Sequence, residues 1–96
     1  MVEFQWNPTK AAVNLNKRRL GFQEAATVLQ DPLSTTFPDE AHSTEERRFV
    51  TIGVSEQGRV LVVAHTERND TIRLISARRA TRRERAFYEQ GKPKRR

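Results

Sequence analysis

Seven residues carry side chains suited to work on a phosphodiester: the arginines Arg48, Arg68, Arg73 and Arg78, and the proton-handling groups His65, Glu67 and Tyr88. A guanidinium fork matches the geometry of a phosphate, so the arginines are candidates for holding one. Cutting RNA without a metal requires a general base for the 2′-hydroxyl and an acid for the leaving oxygen. It also requires cations around the phosphate as charge develops. Arginine supplies only the last of these, which leaves His65, Glu67 and Tyr88 for proton transfer. Each also has a plainer reading: a hydrogen-bonded core position for His65, ring packing against a sheet for Tyr88, a solvated surface charge for any one arginine. The other histidine, His42, sits in an acidic loop.

Other chemistries find little support in the residue types. There is no cysteine, no His-Glu-x-x-His pair and no His/Asp cluster, so neither a metal nor another cofactor is expected. A Gly-rich phosphate loop and a Gly-x-Ser-x-Gly elbow are both missing, which argues against nucleotide hydrolases and serine esterases. Met1 to Trp6 has no signal-peptide pattern, and no stretch approaches the roughly 18 apolar residues of a membrane span. The expected location is the cytoplasm, away from membranes.

Charge points to the partner. The net charge of +6 is polarised, because residues 59–96 hold 12 Lys/Arg against 4 Asp/Glu while residues 1–58 hold 6 against 8. A field of that shape favours a polyanion, nucleic acid first and an acidic protein second, through steering and counterion release. Lys17 and Arg18 before the second helix, and Arg82 and Arg85 near the end of the chain, are candidate RNA-binding residues.

A chain of 96 residues has room for one modest core, and residues 1–91 are expected to form one domain followed by a basic tail, 92–96. Val2 to Trp6 reads as a short strand. Asn7-Pro8 then supplies an N-cap and a proline at the first helical position, for a helix to about Arg19 that Gly21 is placed to end. Phe22, Ala25, Ala26 and Leu29 share one face of a second short helix, stopped by Asp31-Pro32. A weak strand is expected over Leu33 to Phe37. Ser43 to Glu46 has capping-box spacing, but the β-rich run behind it speaks against a helix.

Three strands follow, Arg47 to Val54, Val60 to Thr66 and Thr71 to Ser76, with turns at Glu56-Gln57-Gly58 and Asn69-Asp70. The apolar run Val60 to Ala64 marks a central strand covered on both faces. Thr81-Arg82-Arg83-Glu84 is a second capping box, opening a helix that Gly91 ends. The fold class is α+β: a short N-terminal strand, two helices, an antiparallel meander of three to four strands and a C-terminal helix. Period-two alternation puts Arg48, Thr66, Arg68 and Arg73 on one sheet face, and Leu61, Val63, His65, Ile72 and Leu74 on the other.

Five separated blocks in order resemble the BrnT family of toxins. They are Phe4-Gln5-Trp6-Asn7-Pro8 with Lys10, Asn14-Leu15 and Lys17; Phe22-x-Glu24-Ala25; Glu46-Arg47-Arg48 with Ile52-Gly53; Val63-x-His65-Thr66-Glu67-Arg68; and Arg73-x-Ile75-Ser76-Ala77-Arg78 with Glu84-Arg85 and Tyr88. The resemblance spans about residues 3 to 89. It implies a RelE-like fold and the ribonuclease half of a type II toxin–antitoxin pair, which inhibits translation by cutting mRNA or ribosome-associated RNA. It also implies a BrnA-like ribbon-helix-helix antitoxin, with operator DNA reached only through the antitoxin complex. Where the family commonly has Lys-His-Gly before the second helix, this chain has Lys17-Arg18-Arg19. Two alternatives stand beside the toxin: a non-catalytic RNA- or DNA-binding module or catalytically impaired homologue, and an interaction protein that uses its basic surface for an acidic partner.

Overall fold

The structure, a computed structural model, describes residues 2–44 and 46–91. The basic tail 92–96 lies outside the described residues. Strand β1 (Glu3–Trp6) leads into helix α1 (Pro8–Arg18), whose N-cap Asn7 accepts bonds from the Thr9 and Lys10 amides at 2.8 and 3.2 Å. The expected stop at Gly21 is a correction. Arg19 takes the left-handed C-terminal position (φ 59°, ψ 33°) and donates its amide to Leu15, whereas Gly21 has an ordinary extended backbone as N-cap of α2 (Phe22–Val28). The helix ends at Arg18, close to the expected Arg19, but it is closed by a side chain for which left-handed backbone is unfavourable rather than by glycine.

Strands β2 (Thr35–Pro38), β3 (Arg48–Val54), β4 (Val60–Arg68) and β5 (Thr71–Arg79) form the antiparallel meander, and α3 (Arg82–Gln90) closes the chain. The sheet order is β1-β5-β4-β3-β2, with β1 parallel to β5 at one edge. Both expected turns form, with Gly58 (φ 81°) and Asn69 (φ 54°) in left-handed conformation. No helix starts at Ser43: Ser43, Thr44 and Glu46 are all outside helices. The capping box at Thr81 and Glu84 is complete in both directions.

Helices α1 and α2 cover one face over the main core of Leu20, Phe22, Val28, Leu61, Val63 and Leu74. Helix α3 covers part of the other face, where Tyr88 packs with Ile52 and Val62. Strand β4 is thus covered on both sides, as its unbroken apolar run predicts. A bulge in β5 leaves Ile75 unmatched between the pairs Ala64↔Ser76 and His65↔Leu74. The extra residue switches the alternation, so that Ala77 turns into the main core and Arg78 joins the face of Arg73.

Several motif residues turn out to be scaffolding. Asn14 is buried, donating to the Leu20 carbonyl at 3.0 Å and accepting from the Ala77 amide at 3.1 Å, which fastens α1 to β5. Glu24 accepts from Ser55 Oγ at 2.7 Å and Arg59 Nε at 2.9 Å; chiefly that Arg59 bond holds its carboxyl below the usual range. Gly53 leaves no room for a side chain, since a Cβ there would lie 2.9 Å from Ser34 Cβ and 3.1 Å from Val28 Cγ1.

Candidate nucleic-acid interface

The part of the outer sheet face that α3 leaves open is a basin of about 600 Å³. Arg48, Thr66 and Arg73 lie side by side across β3, β4 and β5 in matched register, and Arg68 follows two residues along β4. All four line the basin, together with Lys10 of α1 and Glu46, Thr44 and His42 of the β2–β3 connection. Arg68 donates to Glu46 at 3.0 Å, but both side chains are well exposed, so the pair is loose and exchangeable with another anion. Four cations around one cavity, with Glu46 as a carboxylate on its wall, give it the charge and the guanidinium forks that suit a phosphate.

Lys17 and Arg18 line an adjoining groove with Val13, Asn14 and Ser76; it shares Lys10 and Ile75 with the basin. Arg82 and Arg85 are exposed on α3, the helix on the same side of the sheet. Lys17 and Arg18 thus lie beside the basin, and none of the four residues lines it.

The structure does not bring the remaining candidates into the basin. His65 is fully buried on the opposite face, its Nε2 2.7 Å from Thr51 Oγ1 and its ring stacked at 6.0 Å on Phe49. Burial lowers its pKa to about 4, so it stays neutral in the fold. Glu67 is on the same face as His65, half exposed, with Oε2 3.4 Å from His65 Nδ1 but without forming a hydrogen bond to it. Tyr88 is buried under α3 and donates to Asp31 Oδ2 at 2.6 Å; burial, reinforced by Asp31, pushes its phenol up to about 12. Arg78 is on the basin's face of the sheet but is held by Glu84.

Sequence reasoning missed Lys10 and His42. Lys10 sits in the first turn of α1, where its amide donates to the N-cap Asn7. His42 arrives through a short 3₁₀ turn (Glu40–His42) that no periodicity announces. That turn is clamped to the first residue of β3: the Asp39 amide donates to the Arg48 carbonyl at 2.7 Å, and the Arg48 amide donates to Ser43 Oγ at 2.8 Å. Ser43 Oγ in turn donates to the Asp39 carbonyl at 2.8 Å. The loop is thereby wrapped around the strand end that carries one of the basin arginines.

Among the described residues, no group of three or more His, Cys, Asp or Glu could hold a metal ion, and no helix is long and apolar enough to cross a membrane. The family model described as "Ribonuclease toxin, BrnT, of type II toxin-antitoxin system" matches residues 6–84. The fold is similar to that of the Brucella abortus ribonuclease toxin BrnT, solved at 1.1 Å resolution, with a TM-score of 0.66 and 20% identity over 85% of this chain and 100% of that one. No curated protein matches the chain.

Proposed function

Because the chain belongs to the BrnT family of ribonuclease toxins of type II toxin–antitoxin systems, we propose that it cuts cellular RNA in the open basin by a metal-independent transesterification. The observation that carries this reading is the convergence of Arg48, Arg68 and Arg73 from three adjacent strands beside Lys10. The scissile phosphate sits among these cations, and their charge offsets the negative charge that builds on the phosphorane as the 2′-oxygen attacks. Lys17, Arg18, Arg82 and Arg85 hold the strand outside the basin and set affinity rather than rate.

The same surface suits neutralisation. A BrnA-like antitoxin that lies across the basin and α3 covers the arginines and blocks substrate in one step, through a salt-sensitive interface. Induced expression of this chain without its partner is expected to arrest growth. Normal growth at verified soluble expression contradicts the reading. One observation favours RNA binding without cleavage: Arg18 stands where the family commonly has a histidine. Under that reading the protein retains RNA at moderate salt and leaves it intact.

A further inference from the structure

Resting on the ribonuclease reading, we propose that His42, oriented by Asp39, is the general base that takes the proton from the attacking 2′-hydroxyl. Nδ1 of His42 lies 3.1 Å from both carboxylate oxygens of Asp39. In the tautomer that donates from Nδ1 to Asp39, the lone pair is on Nε2, the arrangement a base requires. Nε2 has no hydrogen-bond partner among the described residues.

Position supports the same role. His42 lines the basin that Arg48, Arg68, Arg73 and Lys10 make cationic, with Glu46 as the carboxylate on its wall. Asp39 is only 20% exposed while the His42 side chain is 64% exposed, so the orienting carboxylate is sheltered and the imidazole reaches solvent and substrate. The turn between them is clamped through backbone bonds to Arg48, which couples the base to a residue of the phosphate seat. The other histidine is sealed in the core, neutral and on the wrong face.

The step balances without a further reagent except water. The 2′-oxygen forms a bond to phosphorus as its proton passes to His42 Nε2, and the bond from phosphorus to the 5′-oxygen breaks. The departing 5′-oxygen takes a proton from water at the open mouth of the basin, and the imidazolium returns its own to solvent. The products are a 2′,3′-cyclic phosphate and a 5′-hydroxyl.

Turnover of a short RNA is compared for the full-length wild type, His42→Ala, His42→Gln and Asp39→Asn, alongside affinity for the same RNA carrying 2′-O-methyl groups. Both His42 variants are expected to lose about 100-fold or more in kcat, with KM, 2′-O-methyl RNA affinity and melting temperature near wild type. Asp39→Asn is expected to lose less. Added imidazole should restore turnover to His42→Ala, which a merely structural role for His42 does not explain. A wild type that cuts RNA while both His42 variants match it overturns this assignment and leaves the ribonuclease reading standing. A folded wild type that cuts no RNA overturns both.

Discussion

Arg78 grips Glu84 at two points, Nη1 to Oε1 at 2.7 Å and Nη2 to Oε2 at 2.9 Å. Glu84 also closes the N-terminus of α3, accepting from the Thr81 amide at 2.9 Å. One carboxylate therefore caps the helix and ties it to β5, and Arg78 above all holds that carboxyl down at about 2. An arginine fully occupied in this way is a clamp, unlike Arg73, which faces the open basin.

The two arginines should separate cleanly in one experiment. Arg73→Ala is expected to lower RNA cleavage by about 100-fold, the loss typical of removing one charge-stabilising group, with an unchanged melting temperature. Arg78→Ala is expected to cost roughly 1 kcal/mol of stability, a modest figure because the pair is partly exposed, with cleavage close to wild type. The opposite pattern in melting curves and initial rates would return Arg78 to the site.

His65 makes stability depend on pH. Its pKa falls from 6.5 to about 4 on burial, so between those values the unfolded chain takes up a proton that the folded chain refuses. The contribution is fully present above about pH 6.5 and drains as pH falls toward 4, by up to about 3 kcal/mol. Denaturant melts of wild type and His65→Gln across that range check this. The variant should show a flatter pH dependence, and parallel curves would mean that His65 is not held neutral.

Arg19 occupies a left-handed position at the end of α1, φ 59°. Arg19→Gly removes the steric cost of a Cβ there and should stabilise the fold by roughly 1 kcal/mol. A melting temperature at or below wild type would show that the Arg19 side chain contributes contacts that offset the strain.

Much of this arrangement is legible in the chain because local signals agree. Gly58 and Asn69 fix both hairpin registers, and with register fixed, alternation alone gathers Arg48, Thr66, Arg68 and Arg73 while sending His65 inward. Thr81 and Glu84 announce α3 for the same reason. Features set by tertiary contacts are not legible. The bulge at Ile75 leaves no mark in composition, yet it places Ala77 and Arg78. The parallel pairing of β1 with β5 joins residues nearly seventy apart in sequence, and the reach of Tyr88 to Asp31 spans 57. His42 belongs to a turn held by backbone bonds to Arg48, which residue types alone do not encode.

The central claim is that a cationic basin cuts RNA through its own 2′-hydroxyl, and end-group analysis tests it most directly. The purified full chain is incubated in EDTA with a labelled RNA and with its 2′-deoxy counterpart, and the termini of any fragments are identified. The expected result is RNA fragments ending in 2′,3′-cyclic phosphate and 5′-hydroxyl, with the deoxy strand untouched. A strict magnesium requirement, or intact RNA after incubation with folded protein, would contradict it.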